Sequence, residues 1–155
     1  MIISKEMVII SNIMRNYLKI PVVFAEQDSI KPKGSYISIY MIDENPVGRS
    51  KKTIDDKGMA KYIQMYDLEL CFDCIGKNAN ELAKKSSNMW PLESIQQNLK
   101  ENKLSWRKSL RLKNTSSIYD ENYIPRVTFE AYFYIKNEEF EQQYTIEKVK
   151  INGIN

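Results

Sequence analysis

Apolar side chains recur at helical spacing in the first part of the chain. They occupy every third or fourth position at Ile3, Met7, Ile10, Met14 and Tyr17. One apolar stripe of this kind predicts an amphipathic helix over about residues 3–18. Proline cannot continue a helix, so Pro21 ends the pattern. The β-prone run over 22–25 then predicts a short strand.

Alternation of apolar and polar residues predicts further strands, over 36–42, 60–75, 104–113 and 126–135. In 60–75, Leu68 and Phe72 share an apolar face, whereas Asp67 and Glu69 share a polar one. That contrast is typical of an antiparallel sheet covered on a single side. Lys108 departs from the pattern because it falls on the apolar side of its strand. A last strand is predicted over about 142–150, after an acidic turn that contains Glu138, Glu139 and Glu141.

A central helix is predicted from Asn78 onward. Asn78 and Glu81 have the spacing of a capping box, and Leu82, Ala83, Ser86 and Met89 continue the helix. Pro91 either kinks this helix or begins a second one, since proline is tolerated in a first helical turn. The order α-β-β-β-α-β-β-β predicts one α+β domain over residues 1–155. In it, the N-terminal and central helices pack on one face of a mainly antiparallel sheet of about five to six strands.

Two polar stretches without periodicity connect the predicted strands. They run from Asp43 to about Met59 and from Asn114 to Tyr123. The first exceeds the ~12–15 residues expected of a passive loop. We therefore interpret it as a connection that is either functional or disordered in an isolated copy.

The residue inventory gives enzyme chemistry little support. The 155 residues include no histidine, so neither an imidazole base nor a histidine metal ligand is available. Cys71 and Cys74 have CxxC spacing, but residues three apart on a strand point to opposite faces. No second cysteine pair completes a four-coordinate zinc site, and no phosphate-binding glycine loop or nucleophile motif is present. We therefore expect no catalytic residue, no cofactor and no metal.

Targeting signals are also not predicted. The N-terminus lacks a basic region followed by an unbroken apolar stretch, so we expect no signal peptide. No run approaches the ~20 apolar residues of a membrane span. The expected environment is therefore reducing and aqueous, with no membrane contact.

Positive charge is concentrated in one segment, although the net charge is only +3. Residues 100–113 contain six lysines and arginines but only one acid, Glu101. This segment has three interpretations. It is a solvated strand face, a nucleic-acid surface that uses Trp106 for stacking, or a basic patch that meets acidic residues of a neighbour. Residues 138–147 supply four glutamates for the third interpretation.

Several short segments resemble, in chain order, those of phage neck and tail terminator proteins. Residues 24–28 and 31–38 are similar to an opening A-x-Q-x…P-x-x-x-Y pattern. Residues 66–73 and 76–79 resemble a strand-to-helix passage, in which a tyrosine and an aspartate precede G-x-N/D-A. Residues 125–131 resemble a late strand that begins with arginine after a long connection.

The resemblance implies a structural virion protein without catalytic residues or cofactor. It implies a hexameric ring that terminates the tail tube and joins it to the head connector. The implied partners are further copies of the chain, the tail-tube protein and the head-tail connector protein, with DNA only as passing cargo. The implied location is the virion neck, after assembly in the host cytoplasm.

In such a ring we expect unlike surface patches to meet head to tail. The expected basic patch consists of Arg107, Arg111 and Lys113, and the acidic patch consists of Glu138, Glu139 and Glu141. Ring-to-ring contacts are expected from the two long connections, at Arg49, Lys51, Lys52, Tyr119 and Tyr123. The alternatives are another head-tail connector or tail-tube subunit, or a nucleic-acid-binding adaptor that uses residues 100–113.

Overall fold

A computed structural model of the chain describes residues 3–25, 31–119 and 121–143. Its helices are α1 (Lys5–Leu18), α2 (Ala79–Asn88) and α3 (Glu93–Glu101). Its strands are β1 (Val22–Phe24), β2 (Tyr36–Ile54), β3 (Met59–Ile75), β4 (Leu104–Ser109), β5 (Lys113–Asn114), β6 (Ser117–Tyr119), β7 (Asn122–Ile124) and β8 (Arg126–Gln142). The predicted α+β class and N-terminal helix are confirmed.

The main sheet has six strands in the order β1-β2-β3-β8-β4, and β5 also pairs with β8. Its pairs are antiparallel except for β1, which lies parallel to β2. At the centre, β3 pairs with β2 on one side and with β8 on the other, from Met59 to Ile75. Strands β6 and β7 form a separate two-stranded hairpin.

Local hydrogen bonds fix α1 and its connection to β1. The Ser4 hydroxyl accepts from the Met7 amide at 3.3 Å and so caps the start of the helix. After the helix, Lys19 adopts a left-handed conformation, with φ of 58°. Arg15 then donates to the carbonyl oxygen of Val22 through Nε at 3.0 Å and Nη2 at 2.6 Å. These two bonds hold the first strand against the end of the helix.

The core lies between the helices and one face of the main sheet, which we call the helix-covered face. An aromatic group at its centre is fully buried. Phe72 stacks on Phe129 with ring centroids 4.9 Å apart, and Trp90 meets the ring of Phe133 edge-on at 4.9 Å. Such contacts contribute about 0.5–1.5 kcal/mol each beyond their burial. The opposite, helix-free face carries mainly polar side chains.

The central helix is two helices. Helix α2 ends at Asn88 and α3 begins at Glu93, so Pro91 lies in the connection between them. The predicted second helix is therefore confirmed, but Pro91 precedes its N-cap, Leu92, and does not stand in its first turn. The predicted capping box is wrong, because the Asn78 side chain makes no capping hydrogen bond.

The strand predicted over 104–113 is shorter than expected. It ends at Ser109, and a β-bulge lies between Trp106 and Lys108. Because a bulge adds one residue to a strand, it moves Lys108 to the helix-free face, opposite Tyr132. This explains why Lys108 broke the alternation. Leu110, predicted to point inward, lies beyond the strand and is 36% exposed.

The stretch from Asp43 to Met59 is not the long polar connection that its sequence predicts. Strand β2 continues to Ile54, and the connection to β3 is the short turn 55–58. The Asp55 carboxylate closes this turn by accepting from the amides of Lys57 and Met59 at 2.9 Å each. Both faces of this part of the sheet are exposed and carry mainly polar side chains. The sequence therefore lacks the alternation of apolar and polar residues that identifies a strand.

Two further connections were also misjudged. The predicted acidic turn at 138–141 is part of β8, which continues to Gln142. The predicted connection 114–123 contains the β6–β7 hairpin. Most of the strand predicted over 142–150 lies outside the described residues.

Substitution of Gly76 should destabilise the protein. At its φ of 123° an added Cβ would lie 2.6 Å from Ser35 Oγ and 2.7 Å from Ser35 Cα. We expect Gly76→Ala to lower the free energy of unfolding by about 2–4 kcal/mol in urea titrations, from backbone strain plus steric overlap. Gly34→Ala is the matched control, because Gly34 has a φ of 82° but no atom within 4 Å of the added Cβ. It should cost only about 1 kcal/mol, and equal losses would contradict the steric argument.

Candidate interaction surfaces

A three-stranded projection, which we call the arm, is the most exposed part of the main sheet. It consists of residues 43–54 of β2, 59–67 of β3 and 136–142 of β8. Among these residues only Ala60 is buried, and the β2 portion is exposed throughout. At ~3.3 Å per residue, the nine residues of β3 give the arm a length of roughly 30 Å. The helices therefore cover only the other half of the sheet.

An irregularity in β2 sets the register of the arm. The pairing with β3 shifts between Val47 and Lys51, and Gly48 in this segment has a positive φ of 70°. The Gln64 side chain donates to the carbonyl oxygens of Val47 and Gly48 at 3.2 and 3.3 Å. Beyond this bulge, Lys51 lies opposite Ile63 in β3. The polar contacts of Gln64 thus help to determine which residues of β2 reach the end of the arm.

Glu138 is the centre of an ion-pair cluster at the base of the arm. Its carboxylate lies 3.2 Å from Nζ of Lys136 and 3.4 Å from Nζ of both Lys61 and Lys103. The hydrogen bond from Lys136 is the largest influence that lowers the pKa of Glu138, and a hydrogen bond from Lys61 adds to it. The charge of this predicted acidic-patch residue is therefore compensated within its own chain.

Arg107 also has partners within its own chain. Its guanidinium donates to the Asp67 carboxylate at 3.0 Å and lies 5.4 and 5.6 Å from the ring centroids of Tyr132 and Tyr134. All of these side chains belong to the helix-free face. Trp106 points the other way, packs against the core and donates from Nε1 to Ser109 Oγ at 3.1 Å. Trp106 is thus not presented as a stacking platform for a nucleic-acid base.

The other predicted contact residues lie at three separate places. Arg111 and Lys113 are exposed beyond β4. Arg49, Lys51, Lys52, Glu139 and Glu141 are exposed on the arm. Tyr119 ends β6, and Tyr123 in β7 is 62% exposed beside its cross-strand neighbour Ile118, which is 76% exposed. The structure therefore brings the predicted loop lysines and the predicted acidic residues together on one projection.

The two cysteines lie on opposite faces of β3, as their spacing predicts. Cys74 is in the core, 3.6 Å from Ser86 Oγ, whereas Cys71 is buried on the helix-free face beside Tyr40. Burial raises the pKa of Cys71 to about 11 and that of Cys74 to about 12, so both thiols stay protonated near neutral pH. Within the described residues, no group of three or more acidic or cysteine side chains is arranged to hold a metal ion.

The arm was missed by sequence reasoning, although a signal for it exists. The strand predicted over 60–75 is much longer than the neighbouring strand predicted over 36–42. Buried or half-buried backbone groups need hydrogen-bonding partners, so a strand of that length requires a partner of similar length. Asp55 and Gly58 are also typical turn residues and mark the point where the chain reverses.

The ion pairs of Glu138 should make stability depend on pH. Because its pKa is lowered in the folded state, the stabilisation is present above the ordinary value of 4.5 and is lost as the pH falls through the lowered value. We expect Glu138→Gln to lower the melting temperature at pH 7, and this difference should shrink towards pH 3 and in 1 M salt. Thermal melts across pH test this. Glu141→Gln is the control, since among the described residues no ion pair involves Glu141; an equal effect there would refute the cluster.

Comparison with known proteins gives one family. The family described as phage neck terminator protein matches residues 8–155, nearly the whole chain. No curated protein matches the chain. None of the described helices is long and apolar enough to cross a membrane. The chain therefore belongs to the phage neck terminator family, a family of structural proteins of the bacteriophage tail.

Proposed function

We propose that this protein forms a hexameric ring that ends the phage tail tube and joins it to the head connector. The observation that carries the proposal is the match to the neck terminator family over residues 8–155. The proposed partners are further copies of the chain, the tail-tube protein and the connector protein. Assembly in the host cytoplasm and a final position in the virion neck follow from the same proposal.

Exposed surfaces of different character support a role between stacked assemblies. A terminator has to contact copies of itself and also two unlike neighbours, above and below. The arm is exposed and charged, whereas the β6–β7 hairpin presents the adjacent apolar side chains of Ile118 and Tyr123. We propose that these two projections contact adjoining rings. Contacts between unlike surfaces of identical subunits close a ring when the repeated rotation adds up to one full turn without a shift along the axis.

Loss of the gene should leave the phage with unterminated tails. Electron microscopy of lysates should show tubes of uncontrolled length and heads without tails, because nothing would cap the growing tube. A plasmid copy of the gene should restore normal particles. Normal virions without the protein would refute the proposal, and long tubes formed by the purified protein would identify it instead as a tube subunit.

The alternative function, a nucleic-acid-binding adaptor that uses residues 100–113, would require the protein to bind DNA at low salt. Affinity for DNA through lysine and arginine contacts to phosphates increases steeply as salt is lowered. We expect no DNA binding at 50 mM salt, because Arg107 is engaged by Asp67 and Trp106 packs inward. Fluorescence titration of a labelled duplex and a labelled single strand measures this. Binding that weakens with salt and is lost in Lys108→Glu would favour the adaptor.

A further inference from the structure

Two strand edges of the arm face outward on opposite sides. Strand β1 covers the outer edge of β2 only near residues 37–39. Strands β4 and β5 pair with β8 only between residues 127 and 135, and the last backbone bond there joins the Lys136 amide to Lys103. Within the described part of the chain, residues 43–54 of β2 and 137–142 of β8 therefore each have one edge without a strand partner.

The backbone groups at these edges are identified by the alternation of the ladder. Glu130 accepts from Leu110, and the Lys136 amide donates to Lys103, so even-numbered residues of β8 direct their backbone groups away from β3. Glu138, Phe140 and Gln142 continue this series. Odd-numbered residues of β8 bond to β3, and Glu139 thus exchanges hydrogen bonds with Tyr62.

The same alternation applies on the other side of the arm. Tyr62 bonds towards β8, so Lys52, its neighbour in β2, directs its backbone groups to the open edge. Pro46, opposite Tyr66, has the same orientation and no amide hydrogen, as is typical of an edge strand. The usable part of this edge is therefore the segment beyond the bulge, at residues 51–54.

The two edges carry opposite charges at the same height on the arm. Across β3, Lys51 lies level with Glu138, and Lys52 lies level with Glu139. The β2 edge carries the basic residues Arg49, Lys51 and Lys52, whereas the β8 edge carries the exposed acids Glu139 and Glu141. A shift of one copy sideways, without a shift along the strands, would place these opposite charges side by side.

We propose that the outer edge of β2 in one copy pairs with the outer edge of β8 in the next copy. Both strands are antiparallel to β3, so they run in the same direction, and repeated rotation about an axis along the arm gives a parallel pair at every contact. The arms would thus form a continuous sheet around the ring. This inference rests on the proposed ring, and it identifies a different basic partner for the acidic residues than the patch at Arg107, Arg111 and Lys113.

Pairing of like edges is disfavoured by charge. Two β2 edges would bring Arg49, Lys51 and Lys52 of both copies together, and two β8 edges would do the same with Glu139 and Glu141. Like charges in direct opposition penalise a contact, and lysine or proline on an edge is a common obstacle to unspecific pairing. For the segments 49–54 of β2 and 139–142 of β8, the unlike pair both satisfies the backbone and matches the charges.

Disulfide trapping tests the contact directly. Within one chain, Lys52 and Glu139 are separated by β3, about 9.6 Å at ~4.8 Å per strand, which is too far for a disulfide. Lys52→Cys and Glu139→Cys chains, produced together during phage assembly, should therefore be joined between copies in oxidised tail particles. Each variant alone should stay monomeric on a denaturing gel, and Glu141→Cys tests a shift of two residues along the strand. The native Cys71 and Cys74 are buried, so the wild type is the background control.

The outcomes separate this contact from the proposed ring. Particles that contain the protein but show no Lys52–Glu139 or Lys52–Glu141 disulfide refute the edge pairing and leave the terminator function standing. Disulfides between two Lys52→Cys chains would show that like edges pair and would refute it as well. Absence of the protein from tails would instead refute the proposed function.

Charge exchange provides an independent test. Lys51→Glu with Lys52→Glu should reduce assembly at least tenfold in complementation of a phage that lacks the gene, and so should Glu139→Lys with Glu141→Lys. The four changes combined in one chain should restore assembly, because the edges then match again. Arg111→Glu with Lys113→Glu makes the same change in charge away from the arm and should assemble normally. If the Arg111→Glu, Lys113→Glu control fails to assemble while the arm variants assemble normally, the basic patch at Arg107, Arg111 and Lys113 would be favoured instead.

Discussion

Backbone hydrogen bonding along β3 determines the shape of this molecule. The strand runs from Met59 to Ile75 and pairs with β8 over that whole length and with β2 over most of it. Both neighbours must therefore be long, although helices cover only half of the sheet. The arm is the consequence, because the sheet continues where the helical layer has ended.

The two halves of the sheet are stabilised in different ways. In the covered half, burial of the apolar core beneath the helices, with Phe72, Phe129 and Phe133 at its centre, is the main stabilising contribution. In the arm, stability depends on the strand ladder itself, on the side chain of Gln64 and on the ion pairs of Glu138. In one isolated chain, the open edges of the arm leave a row of backbone N–H and C=O groups without a strand partner. Such edges are well suited to pairing with strands of another chain.

Charge alone does not identify a contact surface in this protein. Arg107 and Glu138 belong to the most charged segments of the sequence, and each is held by partners in its own chain. Lys52 comes from a stretch that looks like an ordinary polar connection, and Glu139 directly follows Glu138 in the acidic segment, but both are exposed at the same height on the arm. Exposed strand edges are consistent with membership in the neck terminator family, since a structural neck protein acts through its contacts with other proteins.

The sequence by itself determined the class of protein and the covered half of the fold. The period of α1 and the alternation in β3 record burial on one side, which requires apolar residues at fixed spacing. The break at Pro91 follows from the missing amide hydrogen of proline. Residues 43–54 record no such contrast, because both faces of the arm meet water. Only tertiary pairing decided that these residues form a strand. It also decided that the bulge between Val47 and Lys51 sets the register of that strand, and that Lys52 lies level with Glu139. Hydrogen bonds between distant segments leave no period in either segment, so the register and the open edges of this half could be known only from the structure.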